Sequence, residues 1–133
     1  MADNNLIVPN FDDETDINLT IGLEKEKHIN NCCVISLDGY IDTYNSLFFQ
    51  NQIQRVIKAG FSKLIFDCTA LAYIASTGFG SFSIILKDLN NIKGDLVIFG
   101  LQKKVLDVFH VLGFSNFFKI KNSIDEALDC IEK

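Results

Sequence analysis

The chain has 133 residues, which is enough for one domain and too few for two well-formed ones. Its formal net charge of −5 argues against a nucleic-acid-binding protein, in which a basic stripe is expected. No apolar run approaches the roughly 18 residues that a membrane span needs. The N-terminus also lacks the basic and apolar regions of a secretory signal, so the sequence predicts a cytoplasmic protein.

The beginning of the chain predicts a tail followed by a β-hairpin. Residues 1–16 are polar and acidic, and we expect a mobile tail there, with the folded domain spanning 17–133. Apolar and polar residues alternate over 17–23, as in a half-buried strand. A polar turn leads to a second strand over 32–37, which Asp38-Gly39 is expected to end.

The rest of the chain alternates helices and strands. The first helix, capped by Asp42 or Thr43, carries Leu47 on its inward face. The predicted elements in order are this helix through Lys58, a strand over 63–67, a helix over 76–91, a strand over 96–99, a helix over 102–112, a strand over 117–120 and a final helix from Ser123. This alternation predicts an α/β fold with a mixed, largely parallel sheet of about five strands and about four helices, mainly on one side.

Two hydroxyl groups stand at the predicted start of the second helix, where the first backbone N–H groups have no intrahelical partner. Ser76 in this position is a good N-cap, which is a purely structural role. A helix N-terminus also favours negative charge, so a phosphate on Ser76 would be stabilised there. Ser76 is therefore a candidate phosphorylation site, and Thr77 is the less favoured acceptor.

The sequence shows no convincing catalytic or metal-binding set. The four cysteines contain no CxxC pair, and we expect all four to be free, mostly buried thiols. Cys32 and Cys33 are neighbours in a predicted strand and should point to opposite faces of it. His28 and His110 have no Ser or Asp partner in a shared motif. We therefore predict a protein that is not an enzyme and needs no metal or cofactor.

Four segments, in order and at matching spacing, resemble the STAS domain, named for sulphate transporters and anti-sigma factor antagonists. They are Leu37-Asp-Gly-Tyr-Ile-Asp42, Leu64-Ile-Phe-Asp67, Ile74-Ala-Ser-Thr-Gly-Phe-Gly80 and Leu112-Gly-Phe-Ser-Asn-Phe-Phe118. The resemblance covers residues 32–133 and implies a STAS-like single domain with an N-terminal β-hairpin. No transporter segments precede it in this sequence, so it looks like the anti-sigma factor antagonist branch.

In that branch the first hydroxyl of an Asp-Ser-Ser/Thr-Gly pattern is phosphorylated, and it aligns here with Ser76. The resemblance also implies that the loop of Asp42 lies beside Ser76 and joins the partner surface. The predicted partner-binding residues are Tyr40, Asp42, Ser76, Thr77, Gly78 and Phe79. The implied partners are an anti-sigma factor that is also a serine-protein kinase, bound when Ser76 is unphosphorylated, and a serine phosphatase.

One position departs from the family pattern, because Ala75 stands where an Asp usually precedes the phosphorylated serine. This removes a carboxylate from the neighbourhood of Ser76. An alternative therefore stays open, a constitutive STAS adaptor or scaffold subunit in which Ser76 is only a helix cap. Asp42 could likewise serve only as an N-cap, and Phe79 could be a core residue. Tyr44 and Tyr73 flank the same loops as Tyr40 and are further candidates for contacts.

Overall fold

The computed structural model describes residues 3–132 as a five-stranded sheet with four α-helices. The strands are β1 (Leu19–Lys25), β2 (Cys32–Ile41), β3 (Lys63–Ile74), β4 (Asp95–Phe99) and β5 (Lys119–Lys121). The helices are α1 (Ser46–Lys58), α2 (Ser76–Asn91), α3 (Lys103–Val111) and α4 (Ile124–Glu132). The strands are ordered β1-β2-β3-β4-β5, with β1 antiparallel to β2 and all other pairs parallel.

The two faces of the sheet are covered unequally. Buried residues of α1, α2 and α3 pack on one face and form the main core. Phenylalanines dominate its centre, where the rings of Phe49, Phe66 and Phe82 contact one another at centroid distances of 4.9–6.1 Å. On the other face α4 alone forms a small cluster with Cys32, Ile65 and Val97. The prediction that helices lie mainly on one side is therefore correct.

Two strands continue past the residues at which the sequence pattern ended them. β2 runs through Asp38 and Gly39 to Ile41, and β3 runs beyond Asp67 to Ile74. The two strands pair with each other along this extension, with register shifts on either side of Asp38 and Gly39. The local sequence pattern predicts that β2 ends at Asp38-Gly39. It does not reveal that β3 supplies the hydrogen-bond partners that let the backbone of β2 continue.

Residues 3–16 differ from the prediction of a mobile tail over 1–16, of which residues 1–2 lie outside the described part of the chain. Val8 and Phe11 are buried in the main core, with Phe11 only 1% exposed. The Asn4 side chain donates to the Ile21 carbonyl at 2.7 Å and accepts from the Leu23 N–H at 2.8 Å. Since β1 is an edge strand, Asn4 satisfies backbone groups that have no neighbouring strand. Two apolar side chains thus anchor a polar segment to the domain.

Candidate partner-binding site

The carboxyl ends of β2 and β3 bring the Asp42 loop and the start of α2 together. Ile41 and Ile74, the last residues of the two strands, are register partners. The Ala75 N–H then donates to the Ile41 carbonyl at 2.8 Å. The Thr77 hydroxyl lies 3.5 Å from the Asp42 carbonyl oxygen. Asp42, Ser76 and Thr77 therefore lie at one edge of the sheet.

The start of α2 differs in one respect from the sequence-based prediction. Ala75 occupies the N-cap position with an extended ψ of 166°, and Ser76 is the first helical residue. Ser76 is thus not the N-cap, because β3 continues to Ile74 and leaves only one residue between strand and helix. The N–H groups of Gly78 and Phe79 both donate to the Ala75 carbonyl. Those of Ser76 and Thr77 precede these first helical bonds and have no intrahelical acceptor.

Asp42 caps a turn rather than α1 itself. Its Oδ1 accepts from the N–H groups of Tyr44 and Asn45 at 2.9 and 3.0 Å. The Asn45 Oδ1 accepts in return from the Asp42 N–H at 2.8 Å. α1 begins only at Ser46, so the prediction that Asp42 or Thr43 caps the helix directly is wrong. Reciprocal side-chain bonds to the backbone give the turn a defined shape.

Comparison with known proteins identifies the fold. The STAS domain family model matches residues 25–127. The chain belongs to the STAS domain family. The anti-sigma-B factor antagonist of Listeria monocytogenes is 30% identical over 105 residues, which cover 78% of this STAS protein and 91% of the relative.

Solved structures agree with this assignment at the level of the fold. An anti-sigma factor antagonist from Mycobacterium paratuberculosis aligns with a TM-score of 0.76 and 19% identity, covering 86% of this chain and 95% of that one. Unphosphorylated SpoIIAA, an anti-sigma factor antagonist, aligns with a TM-score of 0.70 and 21% identity, covering 84% and 96%. These findings confirm the predicted STAS fold and the resemblance to anti-sigma factor antagonists.

The six predicted contact residues of the STAS domain differ in their exposure. Ser76 and Thr77 are exposed, and Tyr40 and Asp42 are half-buried. Gly78 is buried, as is Phe79, which is 2% exposed and packs on the rings of Phe109 and Phe114 at 4.8 and 5.2 Å. Phe79 therefore belongs to the core and does not present a surface to a partner, and Gly78 offers none either.

Other apolar side chains surround the site instead. Tyr44 is 95% exposed, Tyr73 is 54% exposed and Leu47, which the sequence pattern placed inward, is 63% exposed. Leu47 lies inside α1 but two positions before Phe49, which is about 200° around the helix, so it points away from the buried stripe of Phe49, Ile53 and Val56. A groove of about 200 Å³ between the end of β3 and α3 is lined by Ala72, Tyr73, Ile74, Phe79, Lys104, Val105 and Val108.

The ionisable groups with shifted pKa values lie in other parts of the STAS domain. Burial raises the pKa of the Cys32 thiol to about 11 and that of Cys33 to about 12, and it also raises the pKa of Cys68. The hydrogen bond to Asp95 raises the pKa of Lys119. Low-pKa thiols are the reactive ones, so these three thiols are chemically inert in the folded state.

Three further observations concern possible sites elsewhere in the STAS domain. Within residues 3–132, no three His, Cys, Asp or Glu side chains are grouped closely enough to hold a metal ion. No helix in the same range is both long enough and apolar enough to cross a membrane. The structure does bring His110 to Ser115, with Nδ1 and Oγ 3.0 Å apart, which the sequence did not predict. This exposed contact joins α3 to the following 3-10 helix across the left-handed Gly113.

Proposed function

We propose that this STAS domain is an anti-sigma factor antagonist that binds an anti-sigma factor when Ser76 is unphosphorylated. The observation that carries the proposal is the exposed Ser76 hydroxyl at the first position of α2, directly beside the Asp42 turn. Tyr44 and Tyr73 supply exposed aromatic surface around it. Aromatic side chains are enriched among the residues that dominate binding energy at interfaces.

Phosphorylation of Ser76 is the proposed release signal. A phosphoserine carries about −1.5 to −2 charges at neutral pH. The N–H groups of Ser76 and Thr77 have no intrahelical acceptor, and the first turn of α2 contains no acidic residue, so the helix N-terminus stabilises the phosphate. The fold therefore tolerates the modification. A partner loses affinity, because burying the new charge without a matched cation is unfavourable.

Ala75 makes this acceptor site unlike the usual family pattern. Ala75 is buried, and the residue immediately before Ser76 carries no carboxylate. We propose that the kinase recognises the serine through the backbone of the α2 start and through the Asp42 turn. A missing carboxylate also removes a like charge that would oppose the phosphate, which favours the modified form once it is made.

The proposed partners follow from the resemblance to anti-sigma factor antagonists. They are an anti-sigma factor that is also a serine-protein kinase, and a serine phosphatase that reverses the modification, in the cytoplasm. The STAS domain itself acts by binding and has no catalytic step. The name of its Listeria relative, an anti-sigma-B factor antagonist, supports the binding role. The structure of a second relative, the Bacillus cell fate determinant SpoIIAA, has been solved in a phosphorylated form.

The test compares Ser76→Asp with Ser123→Asp, a matched control that adds the same charge at the start of α4. Ser123 Oγ accepts from the Glu126 N–H, and α4 lies on the other face of the sheet. With the anti-sigma factor that co-purifies with the wild type, Ser76→Asp should bind at least tenfold more weakly by calorimetry, which is about 1.4 kcal/mol. Ser123→Asp and Ser76→Ala should bind like the wild type.

Intact-mass measurement of protein from its native cell completes this test. It should find a fraction carrying one phosphate, absent from the Ser76→Ala form. If Ser76→Asp binds like the wild type, or if the phosphate is found on Thr77, the switch is wrong and the constitutive-adaptor function takes its place.

A further inference from the structure

The Asp42 turn is held by the buried side-chain amide of Asn45, which makes three hydrogen bonds. Asn45 is 2% exposed, and its Oδ1 accepts from the Asp42 N–H at 2.8 Å. Its Nδ2 donates to the Tyr40 carbonyl at 3.0 Å and to Asp16 Oδ2 at 3.0 Å. A primary amide has two N–H donors and one oxygen acceptor, so every part of this group is used. Asparagine is the side chain of this size that can do so.

The bond to Asp16 joins the turn to the segment that precedes β1. Asp16 Oδ2 also accepts from the Asn18 N–H at 3.0 Å, and the Asn18 carbonyl accepts from the Tyr40 N–H at 3.0 Å. Gly39 permits this approach, because a Cβ at its position would overlap the Asn18 carbonyl oxygen. The backbone φ of Gly39 is +120°, a conformation that other residues rarely adopt. Residues 16–18 are therefore connected to the end of β2 in two ways, through the Asp16–Asn45 side-chain bond and through the Asn18–Tyr40 backbone bond.

We propose that Asn45 and Asp16 are positioning residues of the partner surface, which hold the Asp42 turn in the shape that displays Tyr44. The Tyr44 N–H is bonded to Asp42 Oδ1, so the orientation of this exposed side chain depends on the turn. The proposal rests on the binding function proposed above. It makes Asp16 part of the binding machinery, although this residue precedes residues 25–127, which the family model matches.

These hydrogen bonds preorganise the Asp42 turn for binding. The Asp42 turn lies outside β2 and α1, and α1 has no side-chain cap of its own. Without Asn45 and Asp16, Asp42 and Tyr44 would be free to sample other conformations, and a partner would have to order them on binding. Rigidifying a loop in its bound conformation raises affinity by removing this ordering cost.

Amide hydrogen exchange of the free protein tests the first half of the proposal. Asn45→Asp keeps the acceptor for the Asp42 N–H, and aspartate suits the N-cap position, but it removes both donors and places a carboxylate against Asp16. In this variant the exchange rate of the Tyr44 amide should rise at least tenfold more than the exchange rates of the core amides of α2, which report the change in global stability. Asn4→Ala is the matched control, since it removes two buried hydrogen bonds from the same segment, farther along β1.

In Asn4→Ala the exchange rate of the Tyr44 amide should rise by no more than the exchange rates of the core amides of α2. Wild-type exchange at Tyr44 in Asn45→Asp overturns the proposal. The double variant Asp16→Asn with Asn45→Asp reverses donor and acceptor between these two side chains and removes the repulsion between the two carboxylates, but it leaves the Tyr40 carbonyl without its donor. It should therefore recover part of the lost protection. Exchange at Tyr44 as fast in the double variant as in Asn45→Asp alone also counts against the pairing.

Affinity for the co-purified anti-sigma factor tests the second half. Asp16→Ala should bind at least tenfold more weakly, and Asn4→Ala should bind like the wild type at a temperature where both are fully folded. If Asp16→Ala keeps wild-type affinity while Ser76→Asp loses it, the positioning role is wrong and the proposed function stands. If neither variant loses affinity, the binding surface itself is wrong and both proposals fail.

Discussion

Gly78 and Gly80 lie two residues apart in the first turns of α2 and face different surroundings. A Cβ on Gly78 would come within 2.7 Å of Ile74 Cγ2 and 2.8 Å of Ile41 Cγ2. These methyls belong to β-branched, buried side chains, which cannot move aside easily. At Gly80 nothing lies within 4 Å of an added Cβ apart from the adjacent residues and the backbone of α2 itself. Only Gly78 is therefore required for packing the helix on β2 and β3.

This contrast predicts opposite effects of two alanine substitutions. Gly80→Ala should stabilise the protein by about 0.5–1 kcal/mol, because alanine favours the helix and nothing opposes it. Gly78→Ala gains the same propensity but overpacks the contact, so the difference between the two variants should be about 1–3 kcal/mol. Urea denaturation of both variants measures this difference. Equal stabilities would show that α2 shifts away from the sheet without cost.

Part of the site could be predicted at the level of single residues. Ser76 and Asp42 were recognisable because their motifs are local, and the structure brings them to one edge of the sheet. The burial of Phe79 could not be read from its motif, because it depends on α3 and the following 3-10 helix. The roles of Asn45 and Asp16 depend on a bond between residues 29 positions apart.

At the level of secondary-structure elements, the segment before β1 carries the clearest mutational test. Phe11 is fully enclosed in the main core, and the Gln52 side chain donates to its carbonyl at 2.8 Å. Arg55 Nη2 donates to the neighbouring Asn10 carbonyl at 2.9 Å. Phe11→Ala should therefore lower the free energy of unfolding by about 3–5 kcal/mol, the usual loss for a buried phenylalanine.

Leu6→Ala is the matched control for this segment. Leu6 is 85% exposed, so its truncation should change stability by less than about 0.5 kcal/mol. Chemical denaturation of both variants, compared with the wild type, gives the two free energies. If Phe11→Ala is as stable as Leu6→Ala, the segment is a tail in solution and the packing seen in the structure does not contribute to stability.

The elements themselves were predicted best where their own pattern decides them. α2 spans Ser76–Asn91, as its apolar stripe and its start signal predicted. β2 and β3 were predicted too short, because their last residues are held by pairing with each other rather than by an alternating pattern. The segment before β1 lacks the predicted tail character. The sequence does not show this, because its few apolar residues at 6–8 and 11 form neither an alternating nor a helical pattern, and the burial of Val8 and Phe11 depends on packing in the main core.

For the molecule as a whole, the unequal covering of the sheet has a consequence for stability. The main core is closed by three helices, whereas α4, a helix of nine residues, covers the opposite face alone. Short elements with few buried contacts open at lower free energy than the global unfolding transition. We therefore expect α4 to detach before the rest of the domain unfolds.

The cysteines can report on this order of opening, because they lie on both faces of the sheet. Cys32 lies under α4, Cys33 and Cys68 lie in the main core, and Cys130 is half-buried on α4 itself. Burial raises the pKa of the Cys32 and Cys33 thiols to about 11 and 12, and raises that of Cys68, so at pH 8 these thiols are protonated and react only after opening. Alkylation followed by mass spectrometry should label Cys130 first and Cys32 second. Cys33 and Cys68 should follow together, at the rate of global unfolding.

The variant Ile131→Ala separates local from global opening. Ile131 is buried in the cluster under α4, so its truncation should speed the labelling of Cys32 more than that of Cys33 and Cys68. After denaturation without reductant, all four thiols should react, as expected for free cysteines. Labelling of Cys32 at the same rate as Cys33, in both the wild type and the variant, would show that α4 opens only when the whole domain unfolds.

Because α4 and Ser76 lie on different elements and opposite faces, opening of α4 should also leave partner binding intact, which the same variant tests directly.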